Sequence, residues 1–230
     1  MSESQRSAAV RLLLINPNTS AHITDRLAAS ARQALAPDDV LTALTAVNGP
    51  QAVRSAQELP EATRNVIDMA RQHSADHDAV LIGISLDCGL QAVRRLCAPQ
   101  PVVGMTEAAC RAACQHGPRF GLLTLGETMA PLYRAHVASL GLARHLVAVA
   151  APEMPQAFGA SAGPVSDALL DRLTQAAAPL REAGAQSVVL AGAVLCGYGP
   201  ALAQRLGCPV LDGMESAAQW ACERVRQMRA

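Results

Sequence analysis

The chain has 230 residues, of which half are hydrophobic and only 2% are aromatic. This length allows one or two compact units with a substantial core. The 19 basic and 19 acidic residues cancel, so the sequence lacks the excess positive charge with which proteins bind nucleic-acid phosphates. The shortage of aromatic residues also disfavours base-stacking surfaces. We therefore expect no nucleic-acid partner and a small-molecule substrate.

The basic residues are all arginine, because the sequence contains no lysine. This excludes Schiff-base chemistry on a lysine, and with it ordinary pyridoxal-phosphate catalysis, as well as a P-loop. The six histidines form no HExxH motif, and no GxSxG motif occurs,. The sequence therefore predicts no metal site and none of these cofactors.

Seven cysteines occur without a CxxC motif or paired zinc-ligand spacing. The polar N-terminus leads directly into a short apolar run and does not resemble a secretion signal,. This cysteine usage is typical of reduced thiols in the cytoplasm. The uncharged stretch 183–204 is interrupted by Gly-Tyr-Gly-Pro at 197–200, which argues against a membrane span. We expect a cytoplasmic protein without a membrane partner.

Short apolar runs alternate with longer helix-like stretches along the whole chain, which is the pattern of βαβ units with a mostly parallel sheet. Gly141 and Gly184 each lie between a predicted helix and a predicted strand, where a glycine with positive φ can end the helix,. The predicted strands are 11–15, 39–45, 78–84, 101–104, 119–124, 144–149, 187–192 and 209–211. The predicted helices are 20–36, 58–74, 89–98, 105–115, 128–139, 165–182, 198–206 and 214–229.

An internal repeat appears when the sequence is compared with itself at an offset of 108 residues. Four blocks match at this one offset, namely those that begin at Arg11 and Arg119, Asp78 and Gln186, Cys88 and Cys196, and Pro101 and Pro209. The fold class is therefore predicted as α/β, with two similar parallel-sheet halves related by a pseudo-two-fold axis and a ligand cleft between them. We assign residues 1–115 and 208–230 to the first half and 116–207 to the second, with the C-terminal helix crossing back to the first half.

Polar side chains follow matching strands of the two predicted halves. Because ligands of open α/β sheets bind at the carboxyl ends of the strands, residues 16–20 and 124–128 are expected to face one ligand from opposite sides, and so are 84–89 and 192–197. A carboxylate or imide oxygen would be held there by hydrogen bonds, although Thr19 or Ser20 would serve equally as a plain helix cap. The predicted substrate-binding residues are Asn16, Thr19, Ser85, Thr124 and Gly192.

Cys88 and Cys196 occupy matching positions, each before a glycine and at the start of a predicted helix. The amides of a helix N-terminus favour an anion and lower a thiol pKa. Two thiols on opposite faces of one carbon can invert it, because one thiolate removes the α-proton and the other thiol returns a proton from behind. We therefore predict Cys88 and Cys196 as the catalytic pair. The alternative is that both are structural cysteines of the core.

Several blocks of the sequence resemble the aspartate/glutamate/hydantoin racemase superfamily, and most of all its hydantoin and allantoin racemases. The resemblance implies two α/β halves, no cofactor, often a homo-oligomer, and a pair of opposed cysteines that act on a small substrate with an acidified carbon, such as a 5-substituted hydantoin. Arylmalonate decarboxylases and maleate isomerases are relatives that use a similar cleft. The matching blocks are LLLINPNTS at 12–20, NGP at 48–50, DAVLIG at 78–83, DCGL at 87–90, PVVGMTEAA at 101–109 and LGCPVLDGMESAA at 206–218.

The sequence departs from the family pattern at both expected thiols. The family block Cys-x-x-Asp-Pro-Gly-Leu places its cysteine on Ile84 and its proline on Cys88, and the second family cysteine falls on Gly192. Both halves carry a cysteine four residues later. Three alternatives follow: a racemase with relocated thiols, a decarboxylase-like or maleate-isomerase-like enzyme, or a ligand-binding homologue without catalysis.

Overall fold

The computed structural model describes residues 9–154 and 166–230, and strands and α-helices alternate regularly over this range. The strands are β1 (Arg11–Asn16), β2 (Val40–Thr45), β3 (Ala79–Ile82), β4 (Val102–Gly104), β5 (Phe120–Leu123), β6 (Leu146–Ala150), β7 (Ser187–Leu190) and β8 (Val210–Asp212). The helices are α1 (Ala21–Arg32), α2 (Leu59–His73), α3 (Leu90–Cys97), α4 (Met105–Gln115), α5 (Ala130–Ser139), α6 (Asp167–Glu182), α7 (Gly199–Leu206) and α8 (Gly213–Arg229).

Strand pairing produces two parallel four-stranded sheets, with the orders β2-β1-β3-β4 and β6-β5-β7-β8. Their registers match at the predicted offset, since Leu12 pairs with Ala79 in the first sheet and Phe120 pairs with Ser187 in the second. The predicted α/β class with two parallel-sheet halves is therefore confirmed.

The inner strands form because their side chains are apolar on both faces. All residues of β3 and β7 are buried, as expected when helices cover both sides of a parallel sheet. The helices show one apolar face each; in α2, Ala62, Val66 and Ala70 recur every four residues and are buried,. Gly141 and Gly184 have φ values of 76° and 87° directly after α5 and α6, which confirms them as helix ends.

The two halves exchange helices. α4 leaves the first sheet but packs chiefly against β7 and β8 of the second, while α8 leaves the second sheet and packs against β3 and β4 of the first. The two helices also pack against each other and against different faces of one shared core. This exchange ties the halves together, with α8 lying against the first sheet.

The strand pairing differs from the predicted division of the chain at one element. The predicted boundary assigned 208–230 to the first half, but β8 pairs with β7 through Val188 and Val210. Only α8 returns to the first sheet. The repeat is consistent with this pairing, because the block that begins at Pro209 matches the block that begins at Pro101, and β4 and β8 are the equivalent edge strands of the two sheets. No helix among the described residues is long and apolar enough to cross a membrane.

Candidate functional site

A cavity lies between the halves, where the carboxyl ends of β3, β5 and β7 meet. Its volume is about 50 Å³, and it opens to solvent. The lining residues are Asn18, Ile23, Ala52, Val53, Gly83, Ile84, Ser85, Thr124, Leu125, Met129, Tyr133, Gly192, Ala193 and Val194. The predicted ligand cleft therefore coincides with a cavity built by both halves.

Matching residues of the repeat face each other across this cavity. Ile84 and Ser85 follow β3, and their equivalents at the offset of 108, Gly192 and Ala193, follow β7; all four line the cavity. Of the predicted substrate-binding residues, Ser85, Thr124 and Gly192 are thus brought together. The two positions at which the family pattern expects thiols also lie in the wall, occupied by an isoleucine and a glycine.

Three hydroxyl groups gather on one side of the cavity. Tyr133 on α5 is 2% exposed, and burial raises the pKa of its hydroxyl to about 12, while hydrogen bonding from the Ser85 and Thr124 side chains lowers it. The phenol is therefore neutral and can donate a hydrogen bond at neutral pH. This group suits a carbonyl or carboxylate oxygen of a ligand.

In the turn after β1, Asn18 lines the cavity and Asn16 does not. The Asn16 amide nitrogen donates to Asn18 Oδ1 at 3.0 Å and to Thr24 Oγ1 at 2.9 Å, so Asn16 is buried as a brace of the turn. Asn18 Oδ1 also accepts from the backbone of Ser20 at 3.0 Å. With its oxygen occupied, Asn18 offers its amide nitrogen to a ligand.

Thr19 does not line the cavity either. Its backbone amide donates to the carbonyl of Pro50 at 3.0 Å, which fastens the turn to the loop after β2. Ser20 is the N-cap residue of α1 but makes no side-chain capping bond, and its hydroxyl donates to the carbonyl of Gln51 at 2.6 Å. The substrate-binding prediction for Asn16 and Thr19 is therefore not supported by the cavity lining.

Cys88 lies behind the cavity wall. It packs against the core between the first sheet and α2. Burial raises the pKa of its thiol to about 11, although hydrogen bonding from the Thr63 side chain lowers it. The expected lowering of this pKa at a helix start is wrong, because loss of hydration outweighs the nearby amides.

Cys196 is buried more deeply, at 1% exposure. Burial raises the pKa of its thiol well above the usual value, and the neighbouring Asp212 carboxylate raises it further. Its backbone carbonyl accepts a hydrogen bond from Nη1 of Arg26 on α1 at 3.2 Å. The expected lowering of a thiol pKa is wrong here as well. The catalytic role of the two cysteines stays a prediction, since neither lines the cavity.

The turn after β3 has an unusual backbone. Leu86 and Asp87 both have positive φ, at 68° and 49°, a conformation that residues other than glycine adopt only under constraint. The Asp87 carboxylate supplies the constraint, since it accepts from the amides of Thr106 and Glu107 at 3.0 and 2.8 Å. The turn presents Ser85 to the cavity in consequence.

Tyr133 and Asn18 are the polar wall residues that the sequence analysis did not select. Asn18 lies in the segment 16–20 that was expected to face the ligand, and only the direction of its side chain distinguishes it from Asn16. Tyr133 lies mid-helix with no motif around it, and only the packing of α5 against the turn after β3 brings it to the site. In the described ranges 9–154 and 166–230, no group of three or more His, Cys, Asp or Glu residues could hold a metal ion.

Comparison with known proteins agrees with this architecture. The chain is 30% identical to a hydantoin racemase of Paenarthrobacter aurescens over 218 residues, which are 91% of this chain and 89% of that protein. The structure of an allantoin racemase from Pseudomonas fluorescens superimposes with a TM-score of 0.85 and 26% identity, covering 95% of this chain and 92% of that one.

A second allantoin racemase, from Klebsiella pneumoniae, superimposes with a TM-score of 0.86 at 24% identity and covers 96% of this chain and 89% of its own. This likeness shows the shared fold. The family model of Asp/Glu/Hydantoin racemases matches residues 12–221, which include both sheets and every described residue of the cavity wall. The chain therefore belongs to the Asp/Glu/hydantoin racemase family.

Proposed function

We propose that this protein is a cofactor-independent racemase-type isomerase that acts at the acidified carbon of a small cyclic imide, with a 5-substituted hydantoin as the expected substrate. The observation that carries the proposal is the cavity between the halves, in which Ser85, Thr124 and Tyr133 place three hydroxyl groups on one side. The hydantoin and allantoin racemases among its relatives support the substrate class.

The cavity wall combines the two features that such a substrate needs. Carbanion formation beside a carbonyl puts negative charge on oxygen, and hydroxyl donors held in place stabilise that oxygen more than water does. The wall also carries apolar side chains, among them Val53, Met129 and Val194, which suit a hydrocarbon substituent.

Inversion also requires acid and base groups on opposite faces of the carbon. We assign this role to Cys88 and Cys196, which start from matching positions in the two halves. One of the two thiols must first give up its proton to become the thiolate that removes the α-proton, while the other stays protonated and returns a proton to the opposite face. Burial opposes this ionisation, since the pKa of Cys88 is raised to about 11 and that of Cys196 well above its usual value. This assignment requires the segments 85–88 and 193–196 to turn their thiols toward the ligand.

The test is α-proton exchange in heavy water. The purified protein is incubated with enantiopure 5-substituted hydantoins, allantoin and acidic amino acids, and NMR and optical rotation are followed together. We expect exchange with loss of rotation for a hydantoin. Absence of exchange with every compound contradicts the racemase, and undiminished racemisation by the Cys88→Ser, Cys196→Ser double variant contradicts the thiol pair.

A second candidate is decarboxylation or cis/trans isomerisation in the same cavity. Ligand binding without catalysis is a further alternative. One observation favours these alternatives over racemisation by two bases: among the described lining residues, Tyr133 is the only titratable side chain. Loss of activity in Cys196→Ser but not in Cys88→Ser, with a malonate or maleate as substrate, would indicate a one-thiol reaction. Ligand-induced stabilisation without any turnover would indicate binding alone.

The proposal includes a homo-oligomer in the cytoplasm. The support is the cysteine usage and the family resemblance. Light scattering coupled to size-exclusion chromatography measures the mass of the assembly against the 23.9 kDa of one chain. A single-chain mass at working concentration would contradict the oligomer.

A further inference from the structure

A hydrogen bond between Asp87 and His136 connects the two halves. Asp87, in the turn after β3, belongs to the first half, and its side chain is fully buried. Nε2 of His136, on α5 of the second half, lies 2.9 Å from Asp87 Oδ2. Because an ionised carboxylate only accepts hydrogen bonds, Nε2 carries the proton and donates. His136 of the second half therefore donates a hydrogen bond to the Asp87 carboxylate of the first half.

A second contact joins α5 to the turn after β3, and this one lies in the cavity wall. Tyr133 and His136 are three residues apart on α5, so both side chains lie on one face of that helix. Ser85 and Asp87 are two residues apart in the turn. Tyr133 and Ser85 both line the cavity, whereas His136 and Asp87 do not. Because both contacts join the turn to α5, we expect that displacing one of them moves the other.

The turn needs such a restraint because its backbone is strained. The left-handed conformations of Leu86 and Asp87 cost on the order of 1 kcal/mol or more each and persist only where surrounding contacts impose them. The Asp87 carboxylate is anchored from two sides, by the amides at the start of α4 and by His136. Without the histidine, one of these two anchors is lost.

We propose that His136 is a positioning residue: through Asp87 it holds the 85–87 turn in the conformation that keeps Ser85 against Tyr133 in the cavity. Its effect on catalysis rests on the proposed function, whereas its effect on the geometry of the cavity does not. His136 itself does not line the cavity, so it acts through the turn.

The experiment uses the tyrosine signals of the full chain. The sequence contains only two tyrosines, Tyr133 and Tyr198, so tyrosine labelled with ¹³C at Cζ gives two resonances, and Tyr198→Phe assigns them. We expect His136→Leu to shift or broaden the Tyr133 resonance and to leave that of Tyr198 in place. His136→Gln, whose amide can replace the Nε2 donor, should restore the wild-type resonance.

Kinetics with the substrate identified in heavy water give the second measurement. We expect His136→Leu to lower kcat/KM by about 10- to 100-fold, the effect of losing a hydrogen bond to a charged group, with most of the loss in kcat because the hydroxyl donors act on the developing oxyanion. His136→Gln should recover most of it. His73→Leu, an exposed histidine on α2, is the matched control and should change neither measurement.

The outcomes separate the two proposals. An unmoved Tyr133 resonance in His136→Leu overturns the positioning role whatever the substrate is. A moved resonance without turnover of any compound leaves the positioning role intact and contradicts the racemase. If His136→Leu does not fold, His136→Asn serves instead, because its shorter amide does not reach Asp87; wild-type resonances and activity in that variant overturn the proposal.

Discussion

Asp87 and Asp212 cap equivalent helices from positions that are not equivalent. Asp87 binds the second and third amides of α4, and Asp212 binds the second and third amides of α8. At the offset of 108 residues, however, Asp212 matches Gly104 and Asp87 matches Leu195. One half takes its capping carboxylate from the turn and the other from the end of the strand.

The different positions of the two capping carboxylates have a steric cause. A Cβ atom at Gly104 would lie 2.4 Å from Asp87 Cγ, so the strand end can carry no side chain while the turn supplies the carboxylate. In the second half, Asp212 fills the corresponding space and also accepts from the hydroxyl of Ser30 at 2.6 Å and from the amide of Gly197 at 2.6 Å. Both carboxylates thus join elements of the two halves.

Gly104→Ala should destabilise the fold by about 2 kcal/mol or more, because it displaces a buried carboxylate from three hydrogen bonds. Urea denaturation measures the free energy of unfolding. Gly199→Ala is the matched control, since its Cβ would meet its nearest neighbour at 3.5 Å, and we expect a change within about 1 kcal/mol. Equal stability of Gly104→Ala and the wild type would contradict the steric argument.

Removing single hydroxyls from the cavity should weaken ligand binding. Ser85→Ala, Thr124→Val and Tyr133→Phe are each expected to raise the Kd of a hydantoin by about 3- to 10-fold, the effect of one hydrogen bond between neutral groups. Isothermal titration calorimetry measures the Kd. Thr128→Val, at an exposed position outside the cavity, should bind as the wild type does. Unchanged affinity in all three cavity variants would show that the ligand lies elsewhere.

Placing thiols at the two positions that the family pattern expects should increase racemisation. A side chain at Gly192 meets Leu195 at 3.6 Å, an ordinary contact, and Ile84 already lines the opposite wall. We expect Ile84→Cys with Gly192→Cys to raise the racemisation rate at least about 10-fold, since acid and base groups commonly contribute more than this. The Ile84→Ser, Gly192→Ser double variant has a similar shape without the acidity. Equal rates in both double variants would contradict acid–base action there.

Stability should fall in alkaline solution because buried thiols resist ionisation. Burial raises the pKa of Cys88 to about 11 and raises that of Cys196 well above its usual value, whereas a thiol in the unfolded chain ionises near ~8.5. Above this pH the unfolded state binds fewer protons, so the free energy of unfolding decreases as pH rises toward 11. Below about pH 8.5, the contribution of the protonated thiols to the free energy of unfolding is fully present.

Urea denaturation at several pH values between 7.5 and 10 measures this dependence. Cys88→Ala with Cys196→Ala should give a smaller decrease in the free energy of unfolding than the wild type. An unchanged slope would mean that other buried thiols account for the alkaline loss of stability, such as Cys222, whose pKa burial raises to about 11, and Cys110, whose pKa burial also raises.

The amino-acid sequence by itself determined the order of the elements, the two parallel halves and the family. Every described β-strand and α-helix overlaps its predicted range, with ends that differ by up to four residues, because the spacing of apolar residues shows whether a strand is buried on both faces or a helix on one face. The repeat then placed Ser85, Thr124 and Gly192 at one cleft, since the carboxyl ends of matching parallel strands meet there.

Only the tertiary structure decided which side chains face that cleft and which helix covers which sheet. The packing of α4 against the second sheet depends on contacts between distant parts of the chain, about which local periodicity carries no information. Neither Asn16, the last residue of β1, nor Cys88, after the turn that follows β3, lines the cavity. Beyond a strand end, the direction of a side chain is set by the backbone angles of the turn. In the turn after β3 those angles are left-handed, and buried contacts to α4 and α5 hold them there.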